Sequence, residues 1–579
     1  MINDRGVAIR YGDIAPEAKE NFVPETSQSE FDTLSQLQRY NLDFKNYANP
    51  CELYQTVLDG GASAFPSVPK NHNMGLWSTQ LSRDDGKFAQ PIVLTLTADG
   101  QYSSQGITLT FDNYNSIFAT SLNIKWYRIT PEAIELLSDM DFTPDSTPYF
   151  CRNKVNNYNR VVITFNAINM PKNRLKLRVV DYGYGTFFYG DELRSVKLIQ
   201  AIDPISSEIA INTADFVLDS NTDMEYLFQT RQPLTVYFNG MLRATTFVKS
   251  SKRTAKRLWQ VQSEDYIGLM DSVPFYGGIY TNALATDILT DIFTVAKVPY
   301  SIDAAFSDSR VSGYIPYTIC RKALMQVAFA IQAAVDTNNS DVVRVFALSD
   351  EITQTIPLSR IMQGQSFTDE DTVTDVAVTA HTYTKISEET EVYKASDSGT
   401  GTDIFVTFAE PLHTLSITGG EILSSGVNYA VINADTGCIL KGLRYKHTTA
   451  VKRRHNPIVL ASEIEKTISI SDATLVSGAN VDTVLSKCFD WLTKVNVTNL
   501  KIIEGKHVSG GDIVRYGRAK YGTVKYGAKM PKVITYDKAV NVGDVIEAQT
   551  EYLGNVNGRV IKQTFALNGG IIVKDTVLK

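Results

Sequence analysis

Residues 203–271 read DPISSEIAINTADFVLDSNTDMEYLFQTRQPLTVYFNGMLRATTFVKSSKRTAKRLWQVQSEDYIGLMD. Ile209 and Ile211 alternate with Ala210 and Asn212, the period-two pattern of a strand with one buried face. Leu234, Val236 and Phe238 repeat the pattern and run into Asn239-Gly240. A type I′ hairpin turn needs positive φ at both central residues, which Asn-Gly supplies readily. Leu242, Ala244, Thr246 and Val248 carry the return strand. A third strand around Leu258–Val261 then leads to Ser263-Glu264-Asp265-Tyr266-Ile267, where Ser263 or Asp265 can cap a short helix. The stretch predicts a small β-barrel or curled sheet closed by that helix.

The 579 residues leave room for several domains. Hydrophobic residues at 43% and charged residues at 21% exclude a disordered chain, and the 29 Tyr and 26 Phe lean toward β structure. A formal net charge of −7 gives no general reason to expect nucleic-acid binding. Cys51, Cys151, Cys320, Cys438 and Cys488 are dispersed, with no C-x-x-C spacing, so neither a zinc site nor a disulfide framework is indicated. A reducing cytoplasm is the expected place of synthesis. The start, MINDRGVAIRYGD, lacks the apolar run of a signal peptide, and no run of eighteen apolar residues predicts a membrane helix.

Residues 1–50 read as an N-terminal arm. The 51–190 segment then carries short alternating strands at Pro91–Thr97, Gln105–Phe111, Leu122–Arg128, Asn159–Ala167 and Arg174–Tyr182, a β-sandwich pattern. The order GLWS, PIVLTLT, GITLTFD, LNIKWYR, VVITF and RLKLRVVDYG, over roughly Asn73–Gly183, resembles discoidin-like, galactose-binding-type jelly rolls. That resemblance implies loops that bind sugars or protein partners, with Tyr102, Tyr127 and Tyr149 as candidate stacking residues for host cell-wall glycans; packing within the sandwich is the alternative. Trp77 and Trp126 are expected in its core.

Beyond the opening stretch (191–275 as a domain), 276–371 reads as an α/β segment. A helix over Asn282–Ala296 places Leu284, Ile288, Ile292 and Val295 on one face, and a longer one over Thr318–Val335 carries Leu324, Val327, Ala328, Ile331 and Val335. Asp341–Leu348 follows as a strand. Residues 372–579 return to β structure, with an inserted helix near 481–494 that groups Val484, Leu485, Cys488 and Leu492. The pairs Gly510-Gly511 and Gly569-Gly570 punctuate what reads as a closing barrel.

Several runs resemble the tail hubs of long-tailed bacteriophages and related injection machines. They are the strand pair around Tyr237-Phe238-Asn239-Gly240; W-x-V-x-x-x-D-Y-I-x-L from Trp259 to Leu269; Tyr317, Arg321, Ala323, Leu324, Val327 and Ala328 followed by Arg344 in a strand; and G-x-V-x-G-R-V-I-K from Gly554. The resemblance implies a mainly β fold with an α/β segment, namely two hub-type β-barrels plus the N-terminal β-sandwich. It also implies a baseplate or tail-tip hub that caps the tail tube as a homotrimer. Tail tube or distal tail proteins and the tape measure protein would be its partners, and it would reside in the virion after assembly in the host cytoplasm. A carbohydrate-binding adhesin or glycosidase accessory protein is the alternative.

Three basic stretches remain. Lys249, Lys252, Arg253, Lys256 and Arg257 occur without an acid between them; Lys441–His455 is similarly basic; and YGRAK-YGTVK-YGAKM brings Arg515, Arg518 and Lys520 beside repeated tyrosines. Cations neutralise phosphates and tyrosines stack on bases, so a channel edge in transient contact with DNA is one reading. A solvated loop or subunit contact is the other. No H-E-x-x-H, phosphate loop, G-x-S-x-G or dinucleotide fingerprint occurs, and the six histidines include no i, i+4 pair. The sequence predicts no enzyme and no cofactor.

Overall fold

The fold is that of a computed structural model. It describes residues 7–12, 18, 21–26, 76–112, 115–183, 185–189, 192–220, 226, 228–238, 241–357, 366–369, 373–456, 466–493, 498–504, 540–550, 554–566 and 572–578. The expected Asn239-Gly240 turn, both Gly-Gly pairs, the tyrosine repeat with Arg515, Arg518 and Lys520, and most of the arm lie outside these residues. The fold is mainly β and divides into two compact units, Arg10–Phe187 and the pair of segments Met1–Ile9 and Phe188–Lys579.

In the Arg10–Phe187 unit seven strands join in one antiparallel sheet. The segments expected as Pro91–Thr97 and Gln105–Phe111 are one strand, Lys87–Phe111, because its partner Tyr149–Ile168 runs unbroken along it with the register absorbed in bulges. Val161, Ile163 and Phe165 face a core that also holds Ile92, Leu94, Leu96, Ile107 and Phe111, with Trp126 fully buried. The Trp77 side chain is outside the described residues. Asp112 and Lys176, both nearly buried, pair at 3.0 Å, and Asn115 donates to the same carboxylate. A buried charge pair of this kind is stable only because further hydrogen bonds satisfy it.

In the other unit a 13-stranded sheet combines strands from both ends of the chain. Leu193–Ala201, Thr213–Asp219, Leu258–Glu264, Met241–Ala255 and Pro233–Phe238 lie side by side, and Leu193–Ala201 also pairs antiparallel with Gly554–Ala566, Leu198 opposite Phe565. The strands expected in two barrels are therefore hydrogen-bonded into a single sheet. Leu234, Val236 and Phe238 are buried as the alternation requires. Ile209 and Ile211 depart from expectation: they sit in an irregular segment before Thr213. The Asp203 carboxylate there accepts from Ile205 N, Ser207 Oγ and Glu208 N, which holds the chain in a turn.

Five helices are described: α1 Tyr266–Met270, α2 Ala285–Ala296, α3 Cys320–Ile331, α4 Ala395–Ser398 and α5 Val481–Leu492. The Asp265 carboxylate caps α1 by accepting from Gly268 N at 3.2 Å. In α2, Leu289 and Phe293 join Ile288 and Ile292 in the core, and Val295 is 41% exposed rather than on the buried face. The next helix is shorter than expected. Gln332 adopts a left-handed C-cap, and Ala334–Asp336 is a strand against Val343–Phe346. Val335 is therefore buried from a strand, and Gln332 is buried beside it. One core gathers α2, α3, Ile209, Val343 and Val345. A separate five-stranded sheet spans residues 375–470, its long strands Asp375–Lys394 and Tyr429–His455 paired along their length, with α5 packed on the first.

Candidate functional site

The segment that carries the hub resemblance is tied to the large sheet by a buried polar seam. Asn212 lies just before the strand Thr213–Asp219 and Asp265 just after Leu258–Glu264, and Asp265 N–H donates to Asn212 O at 3.0 Å. Asn212 Nδ2 donates to Thr337 Oγ1 and Asn338 Oδ1, each at 3.0 Å; Thr337 donates to Asp265 Oδ2 at 2.5 Å. Asn338 donates to Asp336, which also receives Arg344 Nε and Nη2 at 2.8 and 2.9 Å. The seam continues through Asn339, which receives Arg243 Nη1 and donates to Asn541. At the C-terminal end Arg559, in the G-R-V-I-K run, donates to Ser349 O and Gly543 O and pairs with Asp350.

Burial pushes the Asp265 carboxyl up to about 6, against the lowering effect of Thr337 and the backbone donors. Burial raises Asp336 as well, although Arg344 opposes it. The side chains of Asn212, Asp265, Thr337, Asn338 and Asp336 are all hydrogen-bonded to one another or to Arg344, the condition under which such a network fixes one arrangement instead of weakening the fold. Arg321, the other cation of the matched run, donates to Asp271 at 2.7 Å and to Ile209 O at 2.9 Å, joining α3 to the end of α1.

The basic stretches separate. In Lys441–His455 the cations meet acids of the same chain: Lys441 with Glu389 at 2.8 Å, Arg444 with Glu388 and Glu410, Lys452 with Asp482 at 2.6 Å, and Arg454 with Asp490, its guanidinium 4.0 Å over the Phe489 ring. Residues 249–257 are exposed throughout, along the end of the strand Met241–Ala255 and its turn. Lys249 pairs with Glu264 at 2.7 Å; Arg253 lies 4.9 Å over the buried Trp259 ring and donates to Ala255 O and Lys256 O.

The three candidate tyrosines are distributed along the other unit. Tyr102 is half-buried against the core and accepts from Asn21 Nδ2 at 2.6 Å; it lies opposite Tyr158. Tyr149 is opposite Leu109, seven residues further along the same strand, and also packs on the core. Tyr127 faces Leu136 and Arg160 across its neighbours.

One cluster has no counterpart in the sequence reading. Tyr276, Tyr317, Phe405 and Tyr429 form a half-exposed aromatic rim, with ring centroids 4.4 to 5.9 Å apart. Gly277, at φ +64, lets the chain pass against Ile315 O, which a Cβ would meet at 2.1 Å. Asn428 fixes the rim from below, donating to Tyr276 O and Ile315 O and accepting from Tyr314. The fold also brings His381 and His447 together, Nδ1 to Nε2 at 3.0 Å, and burial lowers the His381 pKa. Among the described residues no three His, Cys, Asp or Glu are grouped to hold a metal. Cys151, Cys320, Cys438 and Cys488 are buried free thiols, and burial holds Cys320 at about 11 and Cys488 at about 12, far from a reactive thiolate. An open depression of about 310 Å³ contains Glu264 and Asp271, both in ion pairs.

No family model matches the sequence, and no curated protein matches it. Among solved structures the chain is similar to a tail protein from Neisseria meningitidis, at 9% identity and a TM-score of 0.39, covering 67% of this chain and 92% of that one. It is also similar to a 43 kDa prophage tail protein from Shewanella oneidensis, at 7% identity and a TM-score of 0.39, covering 68% and 95%. A prophage tail protein from Listeria monocytogenes is similar at 9% identity and a TM-score of 0.35, covering 68% and 91%.

Proposed function

We propose that this chain is a structural protein of a phage tail or related injection machine, acting as the hub that caps the tail tube and connects it to the host-recognition or penetration apparatus. The observation that carries the reading is the joining of the hub-like segments. The strands around Trp259 and the G-R-V-I-K strand belong to one sheet through the pairing of Leu198 with Phe565. The helix–strand run from Tyr317 to Arg344 is attached to that sheet by the Asn212–Asp265–Thr337 seam. The work of such a protein is mechanical. Three copies in closed symmetry present the same large sheet to the tube, and each subunit reuses one interface around the axis. The tail tube or distal tail proteins and the tape measure protein are its partners, and the virion is its location. Gold-labelled antibodies against the chain, applied to intact tailed particles, test the placement. Label at the distal end of the tail is expected; label confined to the capsid, or particles that lack the chain, would contradict it.

A further inference from the structure

We propose that the stacked pair His381 and His447 is an acid-sensitive latch, which holds the outer half of the five-stranded sheet to the core of α2 and α3 and opens when both rings are protonated. This goes beyond the hub reading and does not depend on it. The long strands Asp375–Lys394 and Tyr429–His455 leave one core, which ends at Ala380, and enter another around Tyr393, Phe408, Leu412 and Leu440. Between the two cores Thr382, Thr384, Lys385 and Lys446 are exposed, and the latch sits at that waist. His381 is 4% exposed, whereas His447 lies at the surface. Their rings are 9° from parallel, and His447 is in turn stacked on Tyr383 at 4.5 Å. Tyr383 meets Tyr314, whose hydroxyl donates to Asn428 at 2.7 Å, and Asn428 ties the outer half to Tyr276 O and Ile315 O.

The contact is incompatible with two charges. An imidazolium donates from both ring nitrogens. Protonating both rings therefore turns the 3.0 Å contact of Nδ1 with Nε2 into N–H facing N–H between like charges. His381 is buried and cannot turn to water; His447 can, and its departure takes the stack away from Tyr383. Burial first and His447 second lower the His381 pKa, against the Ser471 backbone and the Asp472 carboxylate. The phenols of Tyr383 and Tyr314, each pushed up to about 12 by burial, stay neutral. The other two histidines of this sheet tolerate a charge. His413 has the Thr414 hydroxyl and Ile386 O at its two nitrogens, both able to accept, and His455 faces the Asp375 carboxylate at 3.3 Å. Of the contacts these four histidines make, protonation breaks the one between His381 and His447.

The test is amide hydrogen exchange of the full chain by mass spectrometry at about pH 7.5 and about pH 5.5, on either side of the ordinary histidine value, with rates corrected for the intrinsic effect of pH. Protection of residues 381–385, 426–430 and 445–449 should fall about tenfold at the lower pH. His447→Gln, at an exposed position, offers His381 an amide that hydrogen-bonds without taking a proton, and it should keep its protection there. His413→Gln should open as the wild type does. Histidine-labelled NMR gives a second reading: the titration midpoint of His381 should rise when His447→Gln removes the neighbouring charge. Equal wild-type protection at the two pH values, equal opening by His447→Gln, loss of the response in His413→Gln, or an unchanged His381 midpoint would overturn the proposal.

Discussion

Asp265 does two things at once: it caps α1 through Gly268 N, and it accepts the Thr337 hydroxyl at the centre of the seam. Its full burial sets the sign of its pH dependence. The folded-state pKa of about 6 lies above the ordinary 3.8, so between about pH 4 and 6 the folded chain holds a proton that the unfolded chain has lost. Stability therefore falls as pH rises through that window and is level above it, a change of about 3 kcal/mol at 1.36 kcal/mol per unit. Asp265→Asn mimics the protonated acid. Urea titrations at several pH values should show the wild type losing stability relative to the variant between about pH 4 and 6; parallel curves would remove Asp265 as the source. Sequence reading found the cap but not the seam. Asp336-Thr337-Asn338-Asn339 reads as a polar loop, and Asp336, Thr337 and Asn338 are at most 3% exposed. Burial of such residues depends on partners, here Asn212 and Asp265, which are distant in sequence.

At the scale of elements, periodicity located α2, α3 and α5 and erred at their margins. Leu289 is fully buried and Val295 is not, because the chain leaves α2 through a left-handed Lys297 one turn after the core face closes. Leu289→Ala should cost about 2–5 kcal/mol, and Val295→Ser should stay within about 0.5 kcal/mol; equal losses in chemical denaturation would contradict the assignment of that face. The boundary of α3 was hidden for a different reason. Ala333, Ala334 and Val335 continue an apolar run that suits helix and buried strand alike, and what ends the helix is the backbone conformation at Gln332. Long strands were read as pairs of short ones because bulges interrupt the alternation, as between Thr97 and Tyr102. The aromatic rim left no periodic trace, since Tyr276, Tyr317, Phe405 and Tyr429 come from separate segments. Its one local signal is Tyr276 followed by a glycine.

For the whole molecule, the core around Trp126 and Phe165 draws every buried residue from between Ala18 and Tyr182, and the core around α2 and α3 draws none from there. Such cores should unfold as separate cooperative units. Calorimetry should resolve two transitions, and Phe165→Ala, a cavity worth about 3–5 kcal/mol, should lower one and leave the other in place. A single transition moved as a whole would refute that independence. The mainly β class and the order of strands and helices were legible from alternation and turn residues. The pairing of Leu193–Ala201 with Gly554–Ala566 was not, because register between strands more than 350 positions apart is set by packing and not by any local pattern. The central claim, a hub of three subunits, is tested most directly by negative-stain electron microscopy of the purified chain. Class averages should show a threefold ring around an open axis, with a mass three times the 64.2 kDa of the chain. Single 64.2 kDa particles without rotational symmetry, at every concentration examined, would contradict it.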